Sequence, residues 1–161
     1  MGGKFITRRA CLIGSLVGAT LMSAGVTPTL AQTEAIQSQD TNIGGVVAEI
    51  TQMKRKDGVL TVKMRLRNPT DKKVEVPLTA GYPTYDTYYL TAGDKKYFIL
   101  RDSENVPLSD LGSSSGYLSP GIEKGGTFTW WAKFPAPPAE VTSVSFYTPI
   151  SAPFEDVPIT D

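Results

Sequence analysis

The chain has 161 residues, with 16 basic and 16 acidic side chains, one cysteine and no histidine. Without histidine, it has no Ser-His-Asp or Cys-His catalytic set and no imidazole ligand for a metal ion. Its formal charge of zero supplies no overall field that would attract nucleic acid or an anionic membrane. The length predicts a single structured domain.

Residues 1–31 have the layout of a secretory signal peptide. Three basic residues precede an uncharged apolar stretch at 10–26, and the segment ends at the small residue Ala31. We therefore predict cleavage after Ala31 and export to the periplasm or the extracellular space. The alternative is an uncleaved N-terminal anchor, since the apolar stretch is nearly long enough to span a bilayer.

Removal of this segment changes the composition of the chain that remains. Three basic residues and the single cysteine leave, so the mature chain has 13 basic and 16 acidic side chains and no thiol. It must then fold on its hydrophobic core alone, without a disulfide. We expect no integral membrane span after cleavage.

The mature chain begins with a polar segment and then alternates. Residues 32–42 are polar and have no period, which predicts a flexible leader. The alternation that follows is typical of strands with one dry face and one wet face. In the first two strands the side chains predicted to be buried are Val46, Ala48, Ile50, Leu60, Val62, Met64 and Leu66. Asp57-Gly58 separates these strands and favours a hairpin turn, because this pair readily adopts positive φ.

Shorter runs of the same kind continue along the chain. Further strands are predicted at 74–79, 85–90, 96–101, 127–134 and around Val144 and Phe146. Pro77 cannot donate a ladder hydrogen bond, which favours an edge position for the first of these. Residues 97–100 are apolar on both faces, which favours a central strand. The Pro-rich tail is expected to lie extended along the domain. Together the patterns predict an all-β antiparallel sandwich of about seven strands.

Two segments resemble bacterial exported immunoglobulin-like modules. Gly58-Val59-Leu60-Thr61-Val62, leading to Leu66-Arg67-Asn68-Pro69-Thr70, is similar to their opening of a hydrophobic strand followed by N-x-T/S. Leu118-Ser119-Pro120-Gly121 lies six residues ahead of an aromatic strand that starts at Thr127, and is similar to their L-x-P-G segment.

The end of the chain adds to this resemblance. Residues 134–138 and 153–159 are similar to secreted domains of unknown function, some of which stand beside OmpA-like peptidoglycan-binding domains. The resemblance implies an immunoglobulin-like β-sandwich over 43–161. It carries over no catalytic residue.

Aromatic side chains are the strongest candidates for a binding site, since rigid exposed rings commonly anchor protein or glycan partners. Trp131 and Tyr147 are predicted on the outer faces of consecutive strands, and the tyrosines crowd a short span. The candidate binding residues are Tyr82, Tyr85, Tyr89, Trp131 and Tyr147. The alternative is that these rings seal the ends and edges of the sandwich. For Trp131, the Pro-rich tail is the candidate cover.

Three other patterns are weaker indicators of a site. Ser114 is the centre of a G-x-S-x-G match, but the chain offers no histidine and no strand-turn-helix context, which favours a polar loop. Loop carboxylates such as Asp102 and Glu104 lie among basic residues and are better interpreted as solvated charge. A basic patch on the first hairpin is formed by Lys54, Arg55, Lys56, Lys63, Arg65 and Arg67. It could touch anionic lipid or wall polymer, although a solvated face is favoured.

These observations predict a non-catalytic exported domain that binds a protein or a cell-envelope polymer. We expect no cofactor, no metal site and no nucleic-acid partner. The alternative function is a secreted protease inhibitor that presents the loops at 81–83 and 103–116. An enzyme that uses carboxylates or a metal ion is the least favoured class.

Overall fold

The computed structural model describes residues 33–79, 85–110 and 117–161; the predicted signal peptide at 1–31 lies outside them. Over the described residues the chain forms ten strands and one 3-10 helix. The elements are β1 (Gln37–Asp40), β2 (Val47–Lys56), β3 (Val59–Arg67), β4 (Val74–Glu75), the 3-10 helix Tyr85–Thr87, β5 (Tyr89–Ala92), β6 (Lys95–Phe98), β7 (Gly121–Ile122), β8 (Thr127–Pro135), β9 (Ser143–Tyr147) and β10 (Phe154–Pro158). The all-β prediction is confirmed, and the described residues contain ten strands where about seven were expected.

Two four-stranded sheets contain most of these strands. The first sheet has the order β1-β2-β3-β8 and the second has the order β10-β9-β5-β6, with every named strand pairing antiparallel. β4 and β7 form a separate antiparallel pair, in which Val74 lies opposite Ile122. The predicted strand at 74–79 is therefore much shorter than expected, although Val76 and Leu78, which follow β4, are buried.

Side chains from both sheets belong to one hydrophobic core. The seven residues predicted to point inward from the first two strands are all fully buried, as period-2 spacing requires, and Val46 among them lies just before β2. In the second sheet, the ring of Phe146 lies 6.1 Å from the rings of Trp130 and Phe134 in the first. Tyr88 stacks on Trp130 at 4.7 Å and donates its hydroxyl to the carbonyl oxygen of Leu78 at 2.7 Å. Burial raises the pKa of the Tyr88 phenol.

The turn between β2 and β3 is the predicted one. Asp57 and Gly58 have φ values of 51° and 75°, in the left-handed region that Gly and Asp tolerate best. Two residues with positive φ give a turn whose twist matches that of the strands it joins. Lys56 then lies opposite Val59, so the register places the buried residues of both strands on the same side.

The flexible leader predicted over 32–42 is wrong for its second half, because β1 lies within it. β1 pairs with the first half of β2, from Gln37 opposite Ile50 to Asp40 opposite Val47. Ladder hydrogen bonds use only backbone groups, so a polar segment without apolar alternation can still add an edge strand.

The prediction of a central strand at 96–101 is also wrong, because this segment lies at the edge of its sheet. β6 is the outermost strand of the second sheet, and Phe98 in it is 45% exposed. Directly after it the backbone leaves that sheet, since Leu100 N donates to Lys133 O of β8 at 2.8 Å. Ile99 is thus buried by the shared core rather than by flanking strands on both sides.

The tail is extended, as predicted, and it contacts both sheets. β10 pairs with β9, and Thr160 then forms a parallel bridge with Lys54 on the part of β2 that β1 does not cover. Thr160 N donates to Met53 O at 2.9 Å. Arg55 donates to Asp161 at 2.7 Å and to the carbonyl oxygens of Pro138 and Val141. The hydrogen bond from Arg55 lowers the pKa of the Asp161 carboxyl.

Asn68, at the end of β3, connects three segments of the chain. Its side chain is fully buried, and its amide group donates to the carbonyl oxygens of Lys72, Ile122 and Glu123 at 2.7, 2.9 and 3.2 Å. Its Oδ1 accepts hydrogen bonds from the backbone and hydroxyl of Thr70. Asn68 therefore satisfies backbone carbonyls that the short β4–β7 pair leaves without ladder partners.

Candidate binding surfaces

The predicted aromatic site residues lie on different parts of the molecule. Tyr82 lies outside the described residues, and Tyr85 begins the 3-10 helix. Tyr89 and Tyr147 are cross-strand neighbours in the second sheet, on the side that faces away from the core. Trp131 belongs to β8 of the first sheet. The structure therefore brings Tyr89 and Tyr147 together and separates Trp131 from both.

The ring of Tyr89 is already surrounded by its own chain. It stacks on Tyr147 with 4.6 Å between centroids and 10° between planes, and it lies 6.1 Å from Phe98. The ammonium of Lys96 lies 4.5 Å from its centroid, a distance at which the cation is attracted to the ring. Little of the face of this ring is left for a partner, and Phe98, which the sequence did not single out, is the most exposed aromatic of this row.

Trp131 has the opposite environment. It is 37% exposed, whereas its neighbour Trp130 is 1% exposed and fills the core, because successive side chains of a strand point to opposite sides. The Pro-rich tail does not extend along β8: it pairs with β9 and then with the far edge of the first sheet at β2. The predicted cover of Trp131 is therefore located elsewhere.

Lysine side chains surround Trp131 on the outer side of the first sheet. Lys63 lies directly opposite Trp131, and the next row across the sheet places Lys54, Thr61 and Lys133 side by side. Lys56 follows at the hairpin end of β2. All four lysines are exposed, and none forms an ion pair with another described residue. We call this surface, defined by Lys54, Lys56, Lys63, Lys133 and Trp131, the lysine face.

The predicted basic patch is therefore divided differently by the structure. Arg55 turns away to the tail, as described above. Arg65 and Arg67 bind the two oxygens of Glu49, at 2.6 and 3.0 Å, and Glu49 is only 6% exposed. Lys133 joins the surface from a strand distant in sequence, which no local pattern could indicate. Of the basic residues on this side of the sheet, only the lysines form no ion pair with an acid of the described ranges.

The carboxyl of Glu49 is ionised at neutral pH despite its burial. Burial by itself raises the pKa, but the hydrogen bonds from Arg65 and Arg67 outweigh it and hold the pKa of Glu49 below its usual value. A carboxyl whose pKa is lower when folded than when unfolded stabilises the fold above the unfolded pKa. That stabilisation is lost as the pH falls through the folded value.

We expect Glu49→Gln to lower the free energy of unfolding by about 2 kcal/mol at pH 7, because two arginines lose their shared carboxylate. The difference from the wild type should shrink as the pH is lowered through the folded pKa of Glu49, because the wild-type carboxyl then takes up a proton itself. Urea unfolding at pH 7 and over a series of acidic pH values measures both quantities. Glu104→Gln, at an exposed position, is the matched control and should change stability little. A pH-independent difference for Glu49→Gln would contradict the assigned ion network.

Charge is distributed unevenly over the described chain. The outer side of the first sheet, together with the adjoining Asp110, has six basic residues and three acidic ones. The remainder of 33–161 has seven basic and thirteen acidic residues. The acids of this side are Asp40, Glu49 and Asp110. Asp40 lies in the edge strand β1, Glu49 binds Arg65 and Arg67, and Asp110 lies beside β8. The overall charge balance thus conceals a positive face on an acidic body.

Other features of the described chain add no second candidate. A cavity of about 220 Å³ is lined mainly by apolar residues: Asn42, Ile43, Pro77, Leu78, Thr87, Pro149 and Ile150. It is smaller than the pockets that usually hold small-molecule ligands. Over the described residues, no group of three or more potential ligand side chains is placed to share a metal ion. Within the same residues, no helix is long and apolar enough to cross a bilayer.

The loops considered for a protease inhibitor are described only in part. The loop at 81–83 and the G-x-S-x-G match around Ser114 lie outside the described residues. Before that gap, Asp102 accepts hydrogen bonds from Glu104 N and Val106 N at 2.9 and 2.8 Å, which forms a tight exposed turn. Asp110 N then donates to Trp131 O, so this segment is attached to β8.

No protein-family model, curated protein or solved structure matches the chain.

Proposed function

We propose that the chain is an exported, non-catalytic binding domain, which recognises a protein or a polymer of the cell envelope through the lysine face around Trp131. The layout of residues 1–31 supports export. The lack of histidine in the whole sequence supports a role other than acid–base or nucleophilic catalysis.

We also propose that the two sheets form an immunoglobulin-like β-sandwich. The shared core supports this arrangement, since each sheet buries one side and leaves the other polar. The contact of Phe146 in β9 with Trp130 and Phe134 in β8 supports it further, because these rings come from the two different sheets. The same arrangement leaves the outer side of the first sheet accessible to a partner.

The observation that carries the proposed function is the exposure of Trp131 among four lysines that form no ion pair within the described part of the chain. Trp130 already supplies a large ring to the core, so the exposed indole of Trp131 contributes little to packing there. Tryptophan and basic residues are typical of the few positions that contribute most of the binding energy at protein interfaces. Tyr89 and Tyr147, by comparison, already stack on each other, which leaves less ring surface for a partner.

The test compares three single variants for retention of envelope material by the immobilised protein. Membranes, wall polymer and soluble envelope proteins are presented separately. We expect Trp131→Ala to reduce retention of one fraction by about 30-fold, the effect of removing a central aromatic anchor. Phe98→Ala and Tyr89→Ala, which change aromatic residues of the second sheet, should retain that fraction as the wild type does.

Equal retention by the wild type and Trp131→Ala would contradict the proposed site. Loss confined to Phe98→Ala or Tyr89→Ala would move the site to the second sheet. Thermal unfolding of each variant checks that the loss of retention does not reflect loss of the fold. Trp131→Ala should melt close to the wild type, because substitutions at exposed positions usually change stability little.

A further inference from the structure

We infer that the lysine face docks flat against a bilayer surface rich in anionic phospholipid. This inference rests on the proposed function, because it names the partner of the same face. Three independent properties of the described residues support it: the sign of the charge, the spread of the cations over three adjacent strands and the chemistry of the side chain at their centre.

The charge of the face complements an anionic surface. Lys54, Lys63 and Lys133 come from three adjacent strands, and no described acid forms an ion pair with any of them. Lys54 and Lys133 lie two strand spacings apart, roughly 10 Å between backbones. This distance is comparable to the Debye length in about 0.1 M salt, so the lysines act on a nearby anionic surface together. Because the rest of the domain is acidic, repulsion favours approach by this face only.

The shape of the face also distinguishes a surface from a single polymer chain. β2, β3 and β8 are long neighbouring strands, and the cations project from all three of them. β3 and β8 pair in continuous register, whereas β2 pairs with β3 with one register shift between Ile50 and Gln52. A polymer chain lying along one strand would contact the cations of that strand alone, whereas a plane of headgroups reaches the cations of all three strands. The cavities at Asn42–Ile43 and at Ser38–Asp40 include none of the four lysines. The lysines thus project from the outer side of the sheet and line neither of these two cavities.

Trp131 fits the interface between headgroups and acyl chains. Its indole has an apolar body and one N–H donor, and such amphipathic rings are enriched where membrane meets water. It lies opposite Lys63 and is separated from Lys133 by one residue, so the ring and the ammonium groups meet the same plane. The long lysine side chains can follow the headgroups while the ring lies between them.

The experiment measures binding of the purified full chain to sedimentable vesicles at low ionic strength. One set contains phosphatidylglycerol and phosphatidylcholine in equal amounts, and the other contains phosphatidylcholine alone. The test variant combines Lys54→Glu, Lys63→Glu and Lys133→Glu. The control variant combines Lys72→Glu, Lys95→Glu and Lys124→Glu, three exposed lysines outside the lysine face. Both variants have the same net charge and the same N-terminal segment, so only the location of the change differs.

We expect the wild type to prefer the anionic vesicles and the test variant to bind them about 100-fold more weakly, since each lysine near an anionic leaflet contributes about a fivefold increase in binding. The control variant should stay within about threefold of the wild type, and added salt should weaken wild-type binding. Trp131 provides a second readout, because Trp130 is buried. Its emission should shift to the blue on vesicle binding, and Trp131→Phe should abolish that shift.

Equal losses in the two triple variants would overturn the inference, because net charge rather than this face would then control binding. Binding of soluble dextran sulfate or polyphosphate through the face, without binding to vesicles, would also overturn it. That result would leave the proposed function in place with a polymer as partner. Failure of the proposed function would be recognised by a different result: Trp131→Ala would retain envelope material as well as the wild type does.

Discussion

Phe146→Ala is expected to lower the free energy of unfolding by about 4 kcal/mol, a loss typical of truncating a fully buried aromatic ring. Phe146 is fully buried in β9 and contacts Trp130 and Phe134 of the first sheet and Phe154 of β10. Removing its ring leaves a cavity where rings from both sheets meet. These rings are rigid and come from separate strands, so they can collapse into the space only in part.

The matched control is Phe98→Ala, which makes the same chemical change on an exposed edge strand. Phe98 is 45% exposed, and we expect a loss of about 0.5 kcal/mol or less. Urea unfolding followed by tryptophan fluorescence measures both variants, because Trp130 reports directly on the packing around Phe146. Similar losses for the two substitutions would show that Phe146 does not join the sheets into one core.

Asn68→Asp is expected to cost about 3 kcal/mol at neutral pH. The three carbonyl oxygens that now accept from the Asn68 amide would face a buried carboxylate, which cannot donate to them. Asn68→Ala should also destabilise the protein, by about 2 kcal/mol, since it leaves the same acceptors without a donor but introduces no charge. The loss caused by Asn68→Asp should decrease at acidic pH, where the introduced carboxyl takes up a proton.

Asn42→Asp is the control, because it makes the same replacement of an amide by a carboxylate at an exposed position. Its amide makes one weak contact, to Pro149 O at 3.5 Å, and we expect little change in stability. Thermal unfolding across a pH series, with both variants and the wild type in parallel, separates the buried effect from the surface effect. If Asn68→Asp were as stable as Asn42→Asp, the proposed role of Asn68 in connecting β3 to the β7 segment would be wrong.

The alternation of apolar and polar residues was sufficient to predict β2, β3 and β8, because burial on one side imposes period 2 on a strand. Leu60, Val62 and Met64, which the alternation assigns to the buried side, are indeed fully buried. β1 was missed, because an edge strand needs only backbone partners and shows no apolar period. β6 was misplaced, because the burial of Ile99 depends on a departure from the sheet that its own residues do not encode.

In the candidate site too, features set by one strand could be predicted, whereas features set by the pairing of distant strands could not. Trp131 was predicted to face outward from the alternation of its own strand, and its exposure confirms that orientation. Tyr147 was predicted to face outward too, but its contact with Tyr89 depends on the pairing of β5 with β9. The position of Lys133 beside Thr61, and the use of Arg65 and Arg67 by Glu49, depend on strand register across the sheet. No alignment of short sequence patterns determines such a register.

The edge of β2 is completed by residues from opposite ends of the described chain. β1 covers the part up to Ile50, and Thr160, 107 positions after Met53, covers the part that follows. During synthesis, the backbone groups on this second part have no partner until almost the whole domain has been made. An unpaired strand edge is a template for pairing with other chains. Pairing over such a sequence separation is also slow to form. A newly made chain is therefore most exposed to misassociation before Thr160 pairs with β2. The contacts of Arg55 with Asp161 and with the 138–141 segment then hold the end of the chain against this edge.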